Sequence, residues 1–256
     1  MVHKDEFLVS VITPSYNSEE FIGSTINSVI NQSYSNWELI IVDDCSSDET
    51  VSLIKEFVKK DNRVKLFVND INSGAGHSRN VGLEMSKGRF IAFLDSDDLW
   101  LKDKLKEQVD FMLKKNIPIS FTSYGLIDEN GNKLNKTIKS VPKVDYKEVL
   151  KNTIIGMSTS MIDTTIVGKN FRLIDLRTRQ DLYLWITLLK RGHLAYGLKS
   201  VLASYRVRTN SISSNKIDGA KKVWYLYYHV EKLGLLKSTY YFFFYAFNAI
   251  KKRIFS

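Results

Sequence analysis

Phe90-Ile91-Ala92-Phe93-Leu94-Asp95-Ser96-Asp97-Asp98 is the stretch on which the fold reading turns. Four of the five residues before Asp95 are strongly apolar and the fifth is Ala92. A run of that kind reads as a strand buried on both faces. Three carboxylates then fall within four positions, where the strand should end. Crowded like charges are unfavourable unless something positive sits among them. A divalent cation such as Mg²⁺ meets that need, because it takes one or two carboxylates and completes its shell with phosphate oxygens. The pattern therefore predicts a metal-diphosphate site at the carboxyl end of a strand, where open α/β sheets bind nucleotides. The alternative is an acidic loop capping the next helix, with Asp98 as the N-cap of Leu99 onward.

On either side of this stretch, strands and helices alternate. Residues 8–12 read as a strand stopped by Thr13-Pro14, since proline cannot donate a ladder bond. Ser18 is the expected N-cap of a helix carrying Phe21, Ile22, Ile26, Val29 and Ile30 at helical spacing. Residues 37–42 form a second strand that ends in Asp43-Asp44, and residues 46–50 start a second helix. Residues 64–68 form a third strand. The glycine-bearing loop at 72–82 leads into a short helix with Arg79, which offers N–H groups and a guanidinium to phosphate or carboxylate. A helix at 101–113, a strand at 117–123 and a tight hairpin turn at Asn130-Gly131 follow. Beyond Asn135 the signals weaken to a strand at 157–162, a helix at 179–190 and a strand at 201–207, then a polar loop at 208–215. The expected class is α/β: a mostly parallel central sheet with helices on both faces.

Composition narrows the classes. A chain of 256 residues suits one large α/β domain, or a domain plus a small appendage. The single cysteine, Cys45, allows no intrachain disulfide and fits a reducing compartment. The apolar run at 7–12 is too short for a signal peptide, and no window has the length of a transmembrane helix. Of the formal net charge of +9, residues 219–256 carry +6, from seven Lys/Arg against Glu231 alone. Basic character concentrated in the tail argues against a nucleic-acid groove across the main domain. That tail also holds Trp224, Tyr225, Tyr227, Tyr228 and the run 240–247, then Lys251, Lys252 and Arg253. Aromatics flanked by cations suit an interfacial helix on an anionic membrane. The alternative is a helical hairpin folded onto the sheet or into a homodimer.

Together these stretches resemble the family 2 inverting glycosyltransferases with the GT-A-type fold. The motifs run in order through Val11-Ile12-Thr13-Pro14-Ser15-Tyr16-Asn17, Gln32-Ser33-Tyr34, the segments 38–50 and 72–82, Asp95-Ser96-Asp97-Asp98, and Arg179-Gln180-Asp181-Leu182-Tyr183-Leu184-Trp185. The ending at 205–213 resembles bacterial enzymes that build cell-surface polysaccharides such as teichuronic acid or capsule. The resemblance implies a glycosyltransferase domain over 1–218. Its nucleotide-sugar half would cover 1–124, its acceptor half 125–218, and a helical tail 219–256. It implies Mg²⁺ or Mn²⁺, a nucleotide-sugar donor (UDP preferred), a lipid-linked saccharide acceptor, and a cytoplasmic enzyme peripheral on the inner face of the bacterial membrane.

Carried over residue by residue, Pro14 and Tyr16 would flank the base and Asp44 would bond its polar edge. Arg79 would face the diphosphate or ribose. Asp97 would contact ribose or donor sugar and share the metal, Asp98 would be the principal metal ligand, and Asp95 and Ser96 would complete the site. Asp181 would be the general base, near a helix start where a carboxylate interacts well with the dipole. The family often has Glu-Asp where this chain has Gln180-Asp181, and usually glycine where it has Cys45. Family members with a late histidine near the metal differ from this chain, which offers Arg208 there. A nucleotidyltransferase is the competing enzyme class, but it needs a basic glycine-rich loop after the first strand, and residues 13–17 hold no Lys or Arg. A non-enzymatic membrane-associated scaffold is the third reading, and it predicts incomplete acidic motifs.

Overall fold

The computed structural model describes residues 6–208 and 216–254. In chain order the elements are β1 (Val9–Ser15), α1 (Ile22–Ile30), β2 (Trp37–Asp43), α2 (Thr50–Lys60), β3 (Val64–Val68), α3 (Ala75–Met85), β4 (Phe90–Phe93), β5 (Leu99–Trp100) and α4 (Lys104–Lys115). Then come β6 (Ile119–Ile127), β7 (Lys133–Ile138), β8 (Lys143–Val144), α5 (Tyr146–Lys151), β9 (Met161–Asp163), α6 (Thr164–Val167), α7 (Gln180–Lys190), β10 (Ala195–Arg206), α8 (Lys216–Tyr225) and α9 (Leu235–Ile254). One sheet joins the strands in the order β3-β2-β1-β4-β9-β6-β10-β5, with β7 added beside β6 and β8 beside β10. The pairs β1–β2, β1–β4, β2–β3 and β6–β10 are parallel; β9 runs antiparallel to both β4 and β6.

The sheet is buried on both faces, and β4 shows how. Phe90, Ala92 and Leu94 join one apolar cluster with α1 and α4, while Ile91 and Phe93 join the other with α5 and α7. Alternate residues of a strand point to opposite faces, so only a continuous apolar run can serve both. The hairpin between β6 and β7 closes at Gly131, whose φ of +84° suits a residue with no Cβ.

Three local expectations are revised. β1 does not stop before Pro14; it runs to Ser15, paired with β2 throughout. The ladder bond from Leu94 N–H to the Ile12 carbonyl is on the β4 side. Two residues on, Pro14 faces that same side, where β4 has already ended. The missing N–H therefore costs nothing. Ser18 is not the helix N-cap: α1 starts at Ile22, and the Ser18 hydroxyl is buried without a hydrogen-bond partner. Asp98 caps no helix either, because β5 follows it.

The tail is a helical hairpin folded back onto the domain. Val223, Leu226, Tyr227 and Tyr245 are buried in the same cluster as α5 and α7. Burying a side chain of this size contributes about 1.5–3 kcal/mol. The Asn248 amide donates to the Lys151 carbonyl at 3.0 Å, and Lys190 pairs with Glu231 at 2.7 Å. The opposite face of α9 stays open: Leu236 is 87%, Phe243 64% and Phe247 56% exposed. Residues 209–215 of the expected polar loop, and the side chains of Lys251, Lys252 and Arg253, lie outside the described residues.

Candidate active site

A cleft of about 400 Å³ opens at the carboxyl ends of β1, β2 and β4. β1 is the switch point of this half of the sheet, with β2 and β3 to one side of it and β4 to the other. Pro14, Tyr16 and Asp44 line the cleft from the first two strand ends. Asp95, Ser96 and Asp97 line it from the third, and Arg79 and Asp181 from α3 and α7.

Asp44 organises the loop before α3. Its Oδ1 accepts from Ser73 N–H at 3.0 Å and the Asn69 amide at 2.9 Å, and its Oδ2 from Gly74 N–H at 2.6 Å. The neighbouring Asp43 accepts from Ser15 Oγ and from both Ser46 N–H and Ser46 Oγ. That clamp forces the turn between them, and Cys45 sits in it with φ +66°. A φ in this region favours glycine, and this chain accepts the left-handed strain with a cysteine.

Arg79 is 7% exposed and joins the two acidic parts of the site. Its Nη2 donates to Asp95 Oδ1 at 2.6 Å, and its Nη1 to Gln180 Oε1 at 2.9 Å. Gln180 in turn donates to the Leu176 carbonyl at 2.6 Å. A bond between residues 101 positions apart thus fixes the start of α7, and with it Asp181, against the end of β4. Gly76 permits this approach: a Cβ there would lie 3.0 Å from the Ile174 carbonyl and 3.1 Å from Gln180 Cδ.

Asp97 lines the cleft and pairs with Arg208 at 3.5 Å. Burial, and then the nearby Asp95, push its carboxyl above the usual range, while Arg208 opposes them. Asp98 turns the other way. It is 1% exposed, outside the cleft lining, and accepts from Ser158 Oγ at 2.6 Å and Arg206 N–H at 2.9 Å. Burial raises its carboxyl strongly, with Asp95 and Asp97 adding to the effect. The expectation that Asp98 is the principal metal ligand is therefore revised: its oxygens are committed to tying β10 and a 3₁₀ turn (Met157–Thr159) to the acidic strand end. A cation held by one or two carboxylates plus phosphate fits Asp97 with Asp95 beside it. Among the described residues, no group of three or more His, Cys, Asp and Glu side chains is set to hold a metal by itself.

Sequence reasoning missed the floor and the cationic rim. Ser158 and Arg206 carry no local signal, because they reach Asp98 from 60 and 108 residues away. Arg177 and Arg179 also line the cleft, and their density just before Asp181 was a usable signal.

The family model described as glycosyl transferase family 2 matches residues 10–174. The chain belongs to that family. This family 2 glycosyltransferase is 48% identical over 247 residues to TuaG of Bacillus subtilis (strain 168), a glycosyltransferase assigned to teichuronic acid biosynthesis, covering 96% of this chain and 98% of TuaG. It is 40% identical over 222 residues to the Escherichia coli UDP-Glc:alpha-D-GlcNAc-diphosphoundecaprenol beta-1,3-glucosyltransferase WfgD, covering 86% and 85% of the two chains. Its fold matches the S. aureus TarS 1-349 crystal structure in complex with UDP-GlcNAc at a TM-score of 0.71 and 24% identity, covering 85% of this chain and 64% of that one. The enzyme is thus a transferase with the GT-A architecture, and the scaffold reading falls away.

Proposed function

We propose that the enzyme moves a hexose from a UDP-sugar to a hydroxyl of a lipid-linked, cell-surface glycan, with inversion at the anomeric carbon. The observation that carries this is the single cleft shared by Asp97, at the end of β4, and Asp181, in the first turn of α7. The similarity to TuaG and WfgD supports the acceptor class.

Pro14 and Tyr16 hold the base, and Asp44 positions the loop that receives it. Asp97, with Asp95, would hold Mg²⁺ or Mn²⁺, which as a Lewis acid neutralises the departing diphosphate. Asp181 accepts the proton of the acceptor hydroxyl while that oxygen attacks the anomeric carbon from the face opposite the leaving group. Arg79 keeps donor and base sides in register through Asp95 and Gln180. Arg208 places a second positive charge beside Asp97.

No described helix is long and apolar enough to cross a membrane. The open face of α9 fits a peripheral attachment to the cytoplasmic surface, where a lipid-linked acceptor is presented. The experiment is a UDP-sugar panel. UDP plus Mn²⁺ should raise the melting temperature, and one UDP-sugar should be hydrolysed slowly without acceptor. A protein that no nucleotide-sugar stabilises and that hydrolyses none of them would overturn the reading.

A further inference from the structure

Two of the four guanidiniums that line the cleft, those of Arg177 and Arg179, have no part in the reaction outlined above. Arg79 is spent on Asp95 and Gln180, Arg208 pairs with Asp97, and Arg177 donates to Asn72 Oδ1 at 3.0 Å. Arg179 differs. Among the described residues no ion pair or hydrogen bond engages its guanidinium, and its Nε, like that of Arg79, is buried without a partner. A buried, unsatisfied donor on a permanently charged group is costly to keep, on the order of 1–3 kcal/mol or more.

Its placement is built rather than incidental. Arg179 sits at φ +68°, directly before α7, so its backbone is held in a conformation that a non-glycine residue rarely adopts. The guanidinium carbon lies 5.8 Å from the Tyr245 ring centroid. Gly219, which also lines the cleft, leaves it room: a Cβ there would come within 2.8 Å of Nη2. Tyr245 is 7% exposed and lies on the inner face of α9, between the outward Phe243 and Phe247. One helix thus packs against a cleft-lining arginine with one side and leaves an apolar face open on the other.

We infer that Arg179 binds the diphosphate of a lipid-diphosphate acceptor, and that the C-terminal hairpin holds it there through Tyr245 and Gly219. The inference rests on the proposed lipid-linked acceptor and adds the group by which that acceptor is recognised. Two diphosphates then meet in one cleft. The donor's is served from the β4 side by Asp97 and Arg208. The acceptor's needs a cation not already neutralised, on the side nearest the lipid. A guanidinium is suited to it, since its fork matches phosphate oxygens pairwise.

The test is calorimetric titration of octyl diphosphate into full-length protein saturated with UDP and Mn²⁺. The unsubstituted protein should bind it and should bind octanol negligibly. Arg179→Gln should weaken octyl diphosphate roughly tenfold or more, the loss expected for one charge-assisted hydrogen bond, with UDP affinity unchanged. Arg179→Lys should recover part of the loss. Gly219→Ala, which crowds Nη2 but keeps the charge, should weaken the same ligand less. Absence of octyl diphosphate binding to the UDP-loaded protein overturns the inference, as does an Arg179→Gln variant that loses UDP and octyl diphosphate equally. A protein that fails to bind UDP at all refutes the proposed function instead, so the two failures are told apart.

Discussion

The backbone N–H of Arg206 donates to Asp98 Oδ1 across 2.9 Å, tying the last residue of β10 to the acidic turn after β4. The Arg206 side chain adds a bond from Nε to the Asp97 carbonyl at 2.7 Å. Asp98 is therefore a structural carboxylate beneath the cleft, and Asp97 the one that faces it. Asp98→Ala leaves the Ser158 hydroxyl proton and the buried Arg206 N–H without an acceptor, which should destabilise the fold by about 2–4 kcal/mol. Asp97→Ala should melt close to the unsubstituted protein yet lose Mn²⁺-dependent UDP binding. Thermal melts and calorimetry with and without Mn²⁺ check both. A stable Asp98→Ala protein with weakened metal dependence would restore Asp98 as a ligand.

Asp181 is assigned a proton to remove, not a ligand to bind. Asp181→Asn keeps the shape and the hydrogen-bonding size of the side chain. Turnover should fall about 10²–10⁴-fold while UDP affinity stays within about twofold, since the base acts only as the acceptor attacks. Steady-state rates and UDP calorimetry on the same preparation separate the two. Parallel loss of binding and turnover would move Asp181 to the donor side.

Lys104 is fully buried, and its Nζ has no hydrogen-bond partner but lies 3.6 Å from the Trp100 ring centroid. A cation over a desolvated ring gains about 2 kcal/mol, less than burying the charge costs. Burial accordingly drives the Lys104 amine well below its ordinary pKa. Between that lowered value and about 10.4 the unfolded chain holds a proton the folded chain lacks, so stability rises with pH through this window. Lys104→Met should raise stability by roughly 1–4 kcal/mol at pH 7 and flatten the rise seen on going to pH 9.5. Melting temperatures at the two pH values decide it. A lower melting temperature for the variant at pH 7 would show that the amine has a stabilising partner.

The open face of α9 is expected to meet lipid. Phe243→Glu with Phe247→Glu should leave the melting temperature and the hydrolysis of UDP-sugar unchanged, because both side chains are exposed and outside the core cluster. Co-sedimentation with anionic vesicles should drop several-fold, as expected when apolar area at an interface is lost. Undiminished vesicle binding would remove the interfacial role of this helix.

How far the sequence reached depends on the range of the forces involved. The apolar run before Asp95 reads as a doubly buried strand because each residue's partners lie on fixed alternate faces, and the strand–helix alternation fixes a sheet covered on both sides. The acidic cluster of Asp95, Asp97 and Asp98 could be singled out because it ends a strand, a position whose chemistry is local, whereas Asp44 and Asp181 were marked by the resemblance to the family's motifs. By itself, then, the sequence determined the α/β class, the family motifs and which strand ends bear carboxylates. It could not say which carboxylate of Asp97 and Asp98 faces the cleft, since Ser158 arrives from a distant 3₁₀ turn and Arg206 from a distant strand. Nor could it choose between a free tail and a packed one. Only the tertiary structure turned Asp98 inward, pinned Gln180 to Arg79 and laid Tyr245 beside Arg179. Those are contacts between segments remote in the chain, and they form only where packing of the whole sheet brings them within hydrogen-bond or van der Waals range.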